Sequence, residues 1–404
     1  MRELVGITET PTMRPDGSIV QKPGYDAVTG YLYEPAEAFP PVPDQPTQAD
    51  ACKALLALNE IFVDFPYVSE AARSVPIAAI LTLVARPAIE GAVPAFIFDA
   101  STRGSGKTLQ TDAIAMVASG RMMPRMNFPI QEDELEKVLG AYALRGALFF
   151  SLDNVTRPFG GGALDRVITA RDTVELRVLG KTEIPTLSWR AVVFATGNNM
   201  SIYADTARRI LIARLEPTEE HPEQRTRFAH DDLPGWTRRE RARLVVAALT
   251  LHRAFFVAGA PPQDCARWGS FEEWSRLIPQ AIVWAGGKDP MGSRPGSDTE
   301  VDTEAAMMQI VLTQVHKMMK SEHFRTSYLV TRLYAEKEFS LALDACKELC
   351  QTKVDHVIDS RALARKLSRY KGRVISGFRL NMKTGDGGFA EWSVVDVSNK
   401  RSTS

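Results

Sequence analysis

The 404-residue chain is short of cysteine, has no long apolar run and carries no net charge, its 49 basic side chains being matched by 49 acidic ones. Each shortage excludes something. The four cysteines stand at 52, 265, 346 and 350, and only Cys346 and Cys350 are near each other. Without a second pair, or histidines at ligand spacing, no zinc site is expected, and the thiols read as free and buried. The best apolar stretches, Ile77 to Val84 and Ala147 to Leu152, have the length of a strand or a core helix. Neither approaches the roughly 18 residues that cross a bilayer, so no membrane partner is expected. The first residues lack the basic start and apolar core of a secretion signal, which makes the cytoplasm the expected location. There is no internal repeat and no low-complexity tract.

A neutral total gives no argument for a polyanion partner, but the distribution does. Residues 361 to 401 hold ten basic and three acidic side chains, a net +7, whereas residues 1 to 50 hold three basic and eight acidic, a net −5. A basic C-terminal part can hold nucleic acid within a neutral protein. The length and the 45% hydrophobic content supply cores for about two or three domains.

Residues 1–46 are rich in Pro and Gly and read as short strands, turns and a linker. Residues 47–90 read as helical, with Ala54, Leu55, Leu58, Ile61 and Phe62 at helix spacing. In residues 91–217 strands alternate with helices, which predicts a mainly parallel sheet. Its strands are Val93 to Phe98, Ala147 to Leu152, Ala191 to Thr196 and Ile210 to Leu215, with helices over Thr108 to Ser119, Asp133 to Leu144 and Ala163 to Ala170. A hairpin is expected from Val174 to Trp189, turned at Gly180, Lys181 and Thr182. Residues 218–297 read as a helical lid and linker. Residues 298–404 read as helices near Glu304 to Lys320 and Ser360 to Tyr370 followed by two Gly-turned strands, the pattern of a winged helix.

The chemistry concentrates in Ser101-Thr102-Arg103-Gly104-Ser105-Gly106-Lys107-Thr108, which follows a buried strand and opens a helix. Gly104, Ser105 and Gly106 let the backbone turn its N–H groups towards phosphates, Lys107 reaches the terminal phosphates, the Thr108 hydroxyl suits Mg²⁺, and Leu109 completes the cradle. Ser101 replaces the usual first glycine. Asp153, 45 residues after Thr108, ends the apolar run Leu148 to Leu152 and is the candidate magnesium carboxylate. Asn154 follows it, and an amide cannot act as a general base. Either another carboxylate does so, with Glu132, Glu134 and Glu136 as candidates, or hydrolysis is slow. Asn198, ahead of Asn199, ends the next strand and suits contact with the γ-phosphate or the attacking water. Arg208 or Arg209, before the last strand, suits an arginine finger reaching a neighbouring subunit's phosphate.

The order GSGKT, FFSLDN, RVLG, FATGNN and DTARR resembles the AAA+ or superfamily-3-like helicase part of phage and mobile-element primase-helicase proteins. So do Gly24-Tyr25-Asp26 with Thr29-Gly30, Gly269 to Trp274 with Asp289-Pro290, and Arg373 to Gly377 with Trp392. The resemblance implies an α/β P-loop AAA+-like ATPase core with a turn-rich and helical N-terminal region and a C-terminal winged-helix domain. It implies a ring, expected to be a hexamer, that burns ATP with Mg²⁺ to move along DNA. It also implies that Lys181 projects into the central channel and that Arg365, Lys366, Arg369 and Lys371 meet DNA, although a winged helix can equally dock protein or act as a lid. No primase signature is present, so priming is absent or supplied by a separate primase or polymerase chain. The competing reading is a nucleotide-switched loader or scaffold that hydrolyses weakly, for which Asn154 is the motive. A metabolic P-loop enzyme fits worse, since it needs neither the paired arginines nor the basic C-terminal part.

Overall fold

Four strands of this chain are apolar on both faces, and that decides the architecture. A computed structural model describes residues 4–397 other than 103, 130, 156–158, 177–184, 201, 218–224, 226–227, 296–302, 351, 353–355, 376 and 386–387. Strands that cannot show either face to water are stable only in a sheet covered on both sides, the usual situation of a parallel sheet.

The described chain forms two compact units, residues 1–298 and 299–404. The first opens with β1 (Gly6–Thr8), β2 (Thr12–Met13), β3 (Ile19–Val20), β4 (Gly24–Tyr25) and β5 (Tyr31–Tyr33). The turn between β4 and β5 is closed by Asp26, whose carboxylate accepts from the Thr29 backbone N–H at 3.0 Å and hydroxyl at 2.7 Å. Two helices follow, α1 (Gln48–Glu60) and α2 (Glu70–Val84). Thr47 and Asp50 form a capping box at the start of α1, and Ser69 caps α2. Each cap satisfies N–H groups that have no partner within the helix.

The sheet is built from β6 (Ala95–Ala100), β7 (Arg125–Asn127), β8 (Phe149–Val155), β11 (Val192–Asn198) and β12 (Ile210–Leu215). Between them come α3 (Lys107–Ser119), α4 (Glu132–Leu144), α5 (Gly162–Ile168), the antiparallel pair β9 (Thr173–Glu175) and β10 (Thr186–Ser188), and α6 (Ala204–Ala207). The order across the sheet is β12-β6-β11-β8-β7, and every pairing is parallel. Phe194 of β11 stacks on Phe96 and Phe98 of β6 at 5.6 and 6.3 Å between ring centroids. All three rings are fully buried, and burying each contributes about 2–3 kcal/mol. Helices α7 (Leu233–Val257) and α8 (Glu272–Trp284) complete the unit and share its core. Trp274 of α8 is buried, and its indole N–H donates to the Thr82 hydroxyl of α2 at 2.8 Å.

The second unit has α9 (Thr303–Met319), α10 (Thr326–Ala335), α11 (Ser340–Leu349) and α12 (Ser360–Arg369), then an antiparallel sheet β13-β14-β15 of Val374–Ile375, Phe378–Thr384 and Ala390–Asp396. Leu363 and Leu367 of α12 join Leu380, Trp392 and Val394 of the sheet in a separate core. Cys346 lies in that core, and all four cysteines are free thiols.

The structure adds elements that periodicity does not reveal. β7 is a three-residue edge strand, too short to show an alternating pattern. Helices α10 and α11 each span ten residues and bury only one face. The tip of the expected hairpin, with Lys181, lies outside the described residues.

Candidate nucleotide-binding site

In a parallel sheet every strand ends at the same edge, so loops that are distant in sequence meet there. β11 lies between β6 and β8, which places the residues ending all three strands side by side. Asn198 stands opposite Ala100 at the end of β6, and Asp153 is on the far side of β11 in β8.

The loop after β6 turns into α3 through Gly106, which has φ +81 and serves as N-cap of that helix. A Cβ at this position would come within 2.7 Å of Cε1 of Phe65. Only glycine fits both the left-handed backbone and the close ring. Gly104 is likewise left-handed, with φ +73. Ser105 is buried, and its hydroxyl donates to the Thr102 carbonyl at 2.6 Å. Thr108 and Leu109 form the first turn of α3, Leu109 exposed. The helix therefore starts at the loop with its unpaired N–H groups and dipole directed there, which is a ready anion site.

Lys107 lies 9% exposed, and its ammonium donates to the Thr102 carbonyl at 3.1 Å and to Asn198 Oδ1 at 2.7 Å. Burial lowers its pKa below the ordinary lysine value, opposed by the Asp99 and Asp153 carboxylates. Asp153 is half-buried, and its Oδ1 accepts the hydroxyl of Thr196, which in turn accepts the Asn154 N–H at 3.4 Å. Thr196 thus fixes the carboxylate from the neighbouring strand. Asn154 is exposed with φ +52.

Beside the loop lies a cavity of ≈ 220 Å³, whose lining includes Phe65, Gly104, Ser105, Leu109, Arg225 and Phe228. The Arg225 guanidinium donates to the Asp64 carbonyl at 2.7 Å and covers the Phe228 ring at 5.0 Å.

No family model matches this sequence, and no curated protein is similar to it. Solved structures are. The chain is similar to the C-terminal region of NrS-1, with 12% identity and a TM-score of 0.37 over 91% of this chain and 79% of that one. It is also similar to JCV Helicase, with 13% identity and a TM-score of 0.26 over 59% of this chain and 68% of that one. Likeness this loose tells nothing of activity.

The paired arginines lie at the opposite edge, where Ala95 N–H of β6 donates to the Arg209 carbonyl at 3.2 Å. They differ sharply. Arg209 is 18% exposed and pairs with Asp165 at 3.0 Å, the same oxygen that accepts the Thr206 hydroxyl at 2.8 Å. Arg208 is 63% exposed and, among the described residues, pairs only with Asp205, at 3.3 Å on an equally exposed surface. Its backbone is nevertheless fixed, since its carbonyl accepts the Trp268 indole N–H at 2.8 Å.

The three glutamates are engaged elsewhere. Glu132 accepts the Ala163 N–H at 2.8 Å, Glu134 pairs with Lys137 at 2.5 Å and Glu136 with Arg166 at 3.1 Å. In the second unit, Arg361, Arg365 and Arg369 recur every fourth residue on the exposed face of α12, with Lys366 half-buried and Lys371 exposed just beyond. Among the described residues no group of three or more His, Cys, Asp or Glu could hold a metal on its own, and no helix is long and apolar enough to cross a membrane.

Sequence reasoning missed Thr196, Asp99 and Arg214. Asp99 and Arg214 are charged residues inside two otherwise apolar strands, a signal legible without a structure.

Proposed function

We propose that this chain is an ATP-dependent DNA helicase or translocase that serves the replication of a phage or integrated mobile element, hydrolysing ATP between the subunits of a hexameric ring. One observation carries the proposal. The Lys107 ammonium sits between the loop carbonyl of Thr102 and the Asn198 amide, with Asp153 on the next strand over.

Three kinds of group thus converge where a triphosphate would end: a cation, an amide and a carboxylate. Gly104 to Leu109 cradle the phosphates, and Lys107 moves from Asn198 and Thr102 to the terminal phosphates when nucleotide arrives. Magnesium suits the donors present, since it binds one or two protein oxygens besides phosphate and water. Among the described residues, the Thr108 hydroxyl and Asp153 Oδ2 have no protein partner and would hold it. Bound there, Mg²⁺ would neutralise charge on the transferring phosphate. Asn198, once released by Lys107, has its amide free to orient the attacking water. The cavity lined by Phe65, Leu109 and Phe228 together with polar Asp64, Arg225 and His230 would take the base. Arg208 is the finger: it is exposed and its backbone is held by Trp268, whereas the charge of Arg209 is spent on Asp165. Lys181 is assigned to the channel and Arg365, Lys366, Arg369 and Lys371 of a winged-helix domain to DNA phosphates.

The test is the steady-state ATPase rate with and without single-stranded DNA, for wild type and Lys107→Ala, with assembly followed by light scattering. DNA-stimulated turnover that the variant lacks is expected. A second reading, a loader or scaffold switched by nucleotide with weak hydrolysis, is favoured by Asn154 and by the engagement of Glu132, Glu134 and Glu136 elsewhere. Nucleotide-dependent assembly without turnover would decide for it.

A further inference from the structure

Two charged residues inside apolar strands need an explanation that phosphate binding does not provide. Asp99 is 3% exposed in β6, and Arg214 comes from the adjacent β12. Burying an acid is costly unless it is paired and hydrogen-bonded. Asp99 is both: Oδ2 accepts Nη1 of Arg214 at 2.6 Å, and Oδ1 accepts the Met200 N–H at 3.2 Å.

The pair does not end in the core. The other arm of the same guanidinium, Nη2, donates to Oδ1 of Asn199 at 3.1 Å, and Asn199 Nδ2 donates to the carbonyl of Ser101 at 3.2 Å. The Asn199 N–H donates to the carbonyl of Ala100 at 3.1 Å. Asn199 itself has φ +45, a left-handed conformation that asparagine tolerates better than most residues. A planar fork therefore spans β12, β6 and the turn after β11, and ends on Ser101, where the phosphate loop leaves its strand. An ammonium offers all its donors from one nitrogen and lacks the two separated, coplanar arms that reach these partners here.

We propose that Asp99, Arg214 and Asn199 form a positioning clamp that sets the phosphate loop in register with the end of β11, and so fixes Lys107 relative to Asn198 and Asp153. This rests on the reading of the site as an ATPase. The clamp works on the backbone of the loop, through the bond from Asn199 Nδ2 to the Ser101 carbonyl. It acts on alignment, where a displacement of about 1 Å can cost about 100-fold in rate while leaving binding energy largely intact.

Two variants separate alignment from folding. Asn199→Gly deletes the amide at a backbone position that glycine adopts freely, and Arg214→Lys keeps a cation for Asp99 but loses the second arm. Each variant, their double combination and the wild type are compared by ATPase kinetics, by titration with a fluorescent ATP analogue and by Tm. The expected result is a fall in kcat of about 10-fold or more in each single variant, nucleotide affinity within about threefold of wild type, and a double variant little worse than the singles, as for residues acting in one unit. Wild-type-like kcat in Asn199→Gly overturns the clamp, as does a joint loss of kcat and affinity that tracks a fall in Tm. Wild type that binds nucleotide without turnover overturns the ATPase reading itself, and the clamp with it.

Discussion

Arg208 and Arg209 are neighbours in sequence, yet their replacement should have opposite consequences. Arg209 shares with Asp165 an ion pair in which both side chains are 18% exposed. Among the described residues, Arg209→Ala leaves that carboxylate with only the Thr206 hydroxyl. Stranding one member of a fully buried pair costs about 3–5 kcal/mol; partial hydration and the remaining hydroxyl reduce this to about 1–3 kcal/mol. For a unit of this size each kcal/mol moves Tm by about 2–4 °C, so a fall of roughly 2–12 °C is expected. Arg208→Ala removes a pair exposed by 63% and 77%. Such pairs contribute less than about 1 kcal/mol, so Tm should stay within about 4 °C. Turnover reverses the ranking: Arg208→Ala should bind nucleotide normally and lose ATPase activity in assembled protein. Mixing it in equal amounts with Lys107→Ala provides the decisive assay. If neither variant works alone but subunits mix at random, about one quarter of the interfaces combine an intact Lys107 with an intact neighbouring Arg208, and about a quarter of wild-type activity should return. Mixed assemblies without recovered activity, or an Arg208→Ala variant as active as wild type, would refute the inter-subunit role.

The remaining predictions concern stability and DNA. His252 is fully buried in α7, and burial pushes its pKa down to about 4 despite a hydrogen bond to the Leu81 carbonyl. The unfolded chain therefore binds the proton more tightly than the folded one. This histidine's contribution is complete above about pH 6.5 and is lost as pH falls towards 4, a change of roughly 3 kcal/mol. His252→Leu should flatten that limb of the Tm-against-pH curve, and an unchanged slope would contradict the assignment. In the second unit, Arg365→Ala combined with Arg369→Ala should weaken single-stranded DNA binding without affecting nucleotide affinity. The slope of log K against log salt should shrink by about 0.7 for each phosphate that is no longer neutralised; an unaltered slope would remove α12 from the DNA interface.

The alternation of apolar strands with helices between residues 93 and 215 was enough to predict a parallel sheet, because strands such as Phe149 to Leu152 have no polar face to offer water. The loop from Ser101 to Thr108 was legible for a similar reason: closely spaced glycines before Lys and Thr satisfy a backbone requirement that few other sequences meet. Local pattern also located Asp153 and Asn198 at strand ends. It could not order the strands, and without the order β12-β6-β11-β8-β7 nothing brings Asn198 to Lys107 or Thr196 to Asp153. Nor could it separate Arg208 from Arg209, since the difference lies in Asp165, some forty residues away in sequence. The bond from Arg214 through Asn199 to Ser101 is likewise invisible in one dimension. Sequence determined which segments must be buried and which loop has the glycines for a left-handed turn into α3, since both depend on neighbouring residues; the tertiary structure decided which charges are paired and which are exposed, because pairing depends on distances between segments far apart along the chain.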